Sequence, residues 1–162
     1  MFRRVASAAI LGSALAGWFV VGAFATPNSG FTSVDVSKGR FEELAVNTDT
    51  DDANLIRLVT KGSSDFYVVE NTVTPGGFSG WHTHPGPSLV TVKSGTFTVY
   101  HAKDCKARVY GPGDAFVELP STVHVGRNET DSVVELGVVF FGVPIGGSPR
   151  IDQPQPTDCA KT

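Results

Sequence analysis

Gly76-Gly77-Phe78-Ser79-Gly80-Trp81-His82-Thr83-His84-Pro85-Gly86-Pro87-Ser88 holds two of the chain's four histidines, one residue apart. In a β-strand, side chains two positions apart leave the same face. His82 and His84 therefore aim two imidazoles at one point, while Thr83 looks away. The glycines before them let the backbone turn sharply into the strand, and Pro85-Gly86-Pro87 ends or bends it. Ser88-Leu89-Val90-Thr91-Val92 then opens a new strand that turns at Ser94-Gly95 and returns through Thr96-Phe97-Thr98-Val99-Tyr100. Two neutral imidazoles converging from one strand make half of a transition-metal site, and His124 is the candidate third ligand.

Outward from this stretch, turn clusters at 61–64, 94–95, 111–114 and 127–129 separate short apolar runs. The runs predict strands at 55–60, 66–74, 81–84, 89–93, 96–101, 107–110, 115–119, 122–126 and 133–143. A first short strand is expected at 31–36, and residues 41–46 read equally as strand or helical turn. No amphipathic helix and no internal repeat is apparent, so the expected fold class is all-β, a sandwich or barrel. Residues 47–54 are acidic. They lack the glycine and terminal glutamate of an EF-hand loop, so a solvated turn is expected there rather than a calcium site. Beyond Pro144, Gly146-Gly147-Ser148-Pro149 and Gln153-Pro154-Gln155-Pro156 predict an irregular arm.

The chain has 162 residues, room for one domain with a tail at each end. Arg3-Arg4 precede an uncharged run that closes on Ala23-Phe24-Ala25, the small-x-small ending of a signal-peptidase site. We read residues 1–25 as a signal peptide cleaved before Thr26. An uncleaved membrane anchor is the rival, since the run is long enough to span a bilayer; a twin-arginine signal matches poorly. The expected division is then 26–54 for an N-terminal arm and first strands, 55–143 for the barrel and 144–162 for a C-terminal arm. Loss of Arg3 and Arg4 with the leader takes the net charge from −3 to about −5. That balance argues against nucleic acid or an anionic membrane surface as partner. Cys105 and Cys159 both fall in the exported part, where an isolated pair is expected to form a disulfide; a reactive thiol or soft metal ligand is the alternative.

Two motifs carry a family resemblance. Gly76, His82-x-His84, Ser88 and Gly95 resemble the first motif of the cupins, and Pro112-Gly113-Asp114 with Pro120, His124 and Asn128 resembles the second. The resemblance implies a double-stranded β-helix, or jelly-roll barrel, with a metal ion in its mouth. The family's ligands are His, His, Glu and His, and carried over they fall on His82, His84, Ser88 and His124. Ser88 departs from the pattern, because a neutral hydroxyl is a poor ligand for a divalent ion. Three imidazoles remain, a set that suits iron, zinc or manganese and leaves the 2+ charge uncompensated. Replacement of Ser88 by Glu is accordingly expected to tighten metal binding.

Other residues are read more plainly. Glu118 would restore a carboxylate if it faced inward, but the alternating run Phe116-Val117-Glu118-Leu119 is read with Glu118 toward solvent. His101 lies outside both motifs and is read as structural. Asn128-Glu129-Thr130 is a formal glycosylation sequon, yet Asn128 already belongs to the second motif. The functional expectation is an exported metal-binding barrel whose partner is a small molecule. Dioxygenase-like chemistry, or metal-assisted lyase or isomerase chemistry, is open to it. The rivals are a non-catalytic module that captures a ligand or metal, and a structural barrel that associates through its sheet faces, a homodimer being the candidate assembly.

Overall fold

A computed structural model describes residues 25–50 and 54–159. Among these the chain runs through β1 (Ser29–Phe41), β2 (Ala45–Thr50), β3 (Asn54–Val59), β4 (Ser64–Phe78), β5 (His82–Thr83) and β6 (Ser88–Ser94). It continues through β7 (Phe97–His101), β8 (Ala107–Tyr110), β9 (Ala115–Glu118), β10 (His124–Arg127), β11 (Val134–Val143) and β12 (Ile151–Asp152). A 3₁₀ turn at Thr157–Cys159 ends the described part, and no α-helix occurs in it. The signal segment read at 1–25 lies outside the described residues except for Ala25, as do Asp51 and Asp52 of the acidic stretch. No helix among the described residues is long and apolar enough to cross a membrane.

Ten strands form one sheet, in the order β12-β5-β10-β4-β11-β6-β9, with β1 added on β4 and β7 joining β10 to β8. Rolled up, this is the all-β, double-stranded β-helix expected from the motifs. Alternation decides which side is the core. In β6, Ser88, Val90 and Val92 are buried while Leu89, Thr91 and Lys93 are exposed. In β11, Val134, Leu136 and Val138 are buried in the same way. These residues meet Val69, Val73, Phe97 and Val99 in the main apolar cluster. A second cluster packs Trp81 and Val125 against Cys159.

Several elements differ from the sequence expectation. β1 extends over thirteen residues, because it adds along β4 from Ser29↔Phe78 to Phe41↔Ser64 with two bulges. Partner hydrogen bonding carries it through polar residues whose own pattern is weak. The ambiguous 41–46 stretch splits: Phe41 ends β1, and Ala45 begins β2. β2 and β3 pair with each other as a separate two-stranded sheet, so much of the acidic stretch is strand rather than turn. The C-terminal arm is irregular only in part. Ile151 and Asp152 pair with Thr83 and His82 of β5, and Gln153 N donates to Trp81 O at 2.9 Å. Cys159 is buried with its sulfur at disulfide distance from that of Cys105, the two Cα atoms being 5.4 Å apart.

Asp65 fastens three of these pieces together. It is 1% exposed, accepts from Arg40 Nε at 3.0 Å and from Gly146 N at 2.8 Å, and lies 3.2 Å from Lys38 Nζ. The Gly146 amide and the Arg40 guanidinium lower its pKa from 3.8 to about 2. A carboxylate with a depressed folded-state pKa adds stability above its unfolded value and loses it as pH falls through the folded one. Acid denaturation should therefore show a loss of stability between about pH 4 and pH 2. Thermal melts across that window should be flatter for Asp65→Asn, which begins from a lower melting temperature at neutral pH.

Candidate metal centre

Gly80 takes φ +72°, the left-handed region, and a Cβ there would collide with Thr26 O. This turn delivers Trp81 into the core and sends His82 and His84 to the barrel interior. His124 arrives from β10, where it stands directly opposite His82 in register. Just beyond it, Gly126 leaves room for the ring of Phe97, which a Cβ would strike. The three imidazoles converge: ring centroids lie 4.9 Å apart for His82 and His84, 4.4 Å for His82 and His124, and 5.1 Å for His84 and His124. One ligand nitrogen from each lies within 4.8 Å of the others, and all three residues are buried.

Each ring is oriented by a backbone carbonyl. Nδ1 of His82 lies 2.9 Å from Gly80 O, Nδ1 of His84 2.7 Å from Pro149 O, and Nδ1 of His124 2.8 Å from Thr122 O. A carbonyl oxygen only accepts, so Nδ1 carries the proton and donates in all three. The Nε2 atoms are then lone-pair donors turned away from the strands. This is how metal-binding histidines are held, with the far nitrogen tied and the near one free. His101, paired in register with His124, keeps its ring 6.2 Å away and stays outside the cluster.

Glu118 corrects the sequence reading. It is buried, and its carboxylate is inside the barrel. Oε2 lies 3.0 Å from His84 Nε2 and accepts a short hydrogen bond from Ser88 Oγ, while Oε1 lies 3.1 Å from His124 Nε2. The physical reason is register: β9 pairs with β6 so that Val90 faces Phe116 and Ser88 faces Glu118. Phe116 and Glu118, two apart, share the inner face, and Val117 and Leu119 are the side chains left in water. Ser88 is not facing an empty position, because the carboxylate absent from it enters from the neighbouring strand. The two-residue spacing puts Glu118 on the face of Phe116, but with Val117 and Leu119 apolar on the other face the sequence does not say which of the two is inside.

Electrostatics agree with a cation-seeking centre. Burial, reinforced by His124 and Arg150, pushes the pKa of His82 well below the ordinary imidazole value, so it is neutral. For Glu118, burial favours the neutral acid, but the His124 and His84 rings beside it outweigh that and hold its pKa well below the ordinary carboxylate range. His124 is itself opposed by burial and raised by Glu118. Its Nε2 is buried without a hydrogen-bonding partner despite the nearby carboxylate oxygen. A buried, unpartnered nitrogen beside a carboxylate and two further imidazoles is a donor set that fits a divalent transition metal. Above it lies a cavity of about 150 Å³, walled by Val90, Leu136, Val138 and Phe140, with Arg150 of the arm also in its lining.

Residues 69–141 match the family model described as a cupin domain. Among solved structures, the polyketide cyclase RemF from Streptomyces resistomycificus is similar at 20% identity, with 58% of this chain and 64% of that one covered and a TM-score of 0.48. An oxalate oxidase is similar at 22% identity over 46% of this chain and 40% of that one, with a TM-score of 0.42. A cupin-like protein from Thermotoga maritima gives 22% identity, coverages of 57% and 68%, and a TM-score of 0.46. The chain thus spans less than two thirds of the first two. No curated protein matches it. At these identities the likeness is one of fold, and no activity passes from these proteins to this one.

Proposed function

The chain belongs to the cupin superfamily, and from that premise we propose that it holds one divalent transition-metal ion on the clustered His82, His84 and His124, joined by Glu118, whose carboxylate lies against two of the rings, and presents it to a small molecule. One observation carries this reading. Two Nε2 atoms, on rings whose Nδ1 protons already go to backbone carbonyls, face the oxygens of a buried carboxylate. A lone pair against a carboxylate oxygen is repulsive unless a proton or a cation lies between them, and one metal ion relieves both contacts at once while also engaging the third ring. Iron, zinc and manganese each accept three imidazoles and a carboxylate. Such an ion, when bound, supplies Lewis-acid polarisation or, for a redox-active metal, electron transfer.

The protein's own residues perform the remaining work. Glu118 offsets part of the 2+ charge that three neutral imidazoles leave exposed, and the Ser88 hydroxyl holds that carboxylate in place. The backbone carbonyls of Gly80, Thr122 and Pro149 fix the rings, and the aliphatic wall restricts water. The Cys105–Cys159 pair fits an oxidising compartment and supports export, with residues 1–25 as the signal segment.

Exchanging the carboxylate between its two positions tests the ligand set. Glu118→Ser should lower metal affinity by about tenfold or more, as loss of an anionic group at a metal centre does. The double variant Ser88→Glu/Glu118→Ser should regain most of it, since the two positions face each other across β6 and β9. Ser88→Glu alone should instead destabilise the fold, because it sets two carboxylates against each other. This reverses the outcome expected from the motif alone. Metal titration of the three variants decides: unchanged affinity in Glu118→Ser, or no recovery in the double variant, removes Glu118 from the site.

A further inference from the structure

We propose that Asn71 is the ligand-orienting residue of the cavity, and that the cavity takes a compact organic molecule bearing a hydroxyl or carbonyl group on an otherwise apolar frame. The inference rests on the reading of this cavity as a small-molecule site. Asn71 sits in the middle of β4, between Val69 and Val73 on the inner face, and opposite Ser33 of β1 and Leu136 of β11. It is 7% exposed. Its Oδ1 is buried and has no hydrogen-bonding partner among the described residues. A polar amide in an aliphatic wall costs free energy when unpaired, and valine would complete the pattern of β4 without that cost.

The other buried asparagine shows what a structural role looks like. Asn128 donates through Nδ2 to Val73 O at 2.9 Å and Ser132 O at 2.7 Å, and accepts at Oδ1 from Thr130 N and Oγ1. Every polar atom of its amide is used to hold a loop. Asn71 holds nothing, and it lines the same cavity as His82, His84 and Glu118. A volume of about 150 Å³ is that of a cavity able to take benzene. An uncharged carboxamide offers both a donor and an acceptor, so it recognises a hydroxyl or a carbonyl rather than an ion. The metal-facing end would fix one part of such a molecule, and Asn71 its rotation.

Phenol and benzene serve as probes, titrated by calorimetry into the full chain as purified and again after chelation. Phenol should bind more tightly than benzene by about fivefold or more in both states, the contribution of one hydrogen bond. In Asn71→Val the preference should vanish, benzene should still bind, and the melting temperature should rise because an unpaired polar group has been removed. Equal affinities in the unmodified protein would overturn the proposal. So would a phenol preference that survives Asn71→Val, or an Asn71→Val protein that melts lower than the parent. Should that variant fail to fold, the phenol-to-benzene ratio of the unmodified chain decides alone. Absence of metal from the purified protein would end the metal reading but leave the comparison after chelation intact.

Discussion

Protein expressed without a histidine tag should carry about one divalent transition-metal ion per chain, and the His84→Ala variant should carry none. His84 is chosen because its environment commits it more fully than the others. Its Nδ1 donates to Pro149 O at 2.7 Å, and its Nε2 lies 3.0 Å from Glu118. Alanine removes a neutral donor from a set in which Glu118 offsets only part of the metal charge. The loss of affinity should exceed the roughly 10–100-fold that follows loss of an outer-shell partner. Stability gives a second readout. A ligand present at a hundred times its Kd adds about 2.7 kcal/mol, so chelation should lower the melting temperature of the parent protein and leave that of His84→Ala unchanged. Equal metal content in the two proteins would take His84 out of the ligand set.

Reduction, or the substitution Cys159→Ser, should lower the melting temperature by roughly 10 to 15 °C. Cys105 and Cys159 are separated by 54 residues, and closing a loop of that length in the unfolded chain is worth roughly 4 kcal/mol in the chain-entropy account. The effect should reach beyond stability. Cys159 anchors the arm that pairs Ile151 and Asp152 with β5 and places Pro149 O against His84. A loosened arm frees that ring to rotate, so metal affinity should fall along with the melting temperature. Melting curves and metal titrations with and without reductant check both. Identical curves in the two conditions would show that the cysteines are not joined.

The folding pattern was legible because the barrel is built from alternation. In β6 each buried residue is followed by an exposed one, and in β11 Val134, Leu136 and Val138 alternate with exposed or half-buried neighbours, so a two-residue period survives in the letters of the sequence. The converging histidines were legible for the same reason, since His82 and His84 obey that period and His124 belongs to a motif of fixed spacing. The inward side of Glu118 is not legible, because alternation states that neighbours face opposite ways without stating which way is in. Both faces of β9 carry apolar residues, Phe116 inside and Val117 and Leu119 outside, so hydrophobicity gave no sign. The length of β1 was hidden by its composition, which is polar and derives its order from hydrogen bonds to β4.

Local chemistry alone determined an all-β chain, two motif-bearing hairpins and three imidazoles aimed at one place. The register between strands far apart in sequence decided the rest, because hydrogen bonds across a sheet set which side chains meet. Pairing of β6 with β9 brought a carboxylate to Ser88, and pairing of β12 with β5 brought a carbonyl to His84. Only the closed barrel left Asn71 facing a cavity without a partner, since an unfilled space belongs to packing and has no counterpart in the order of residues.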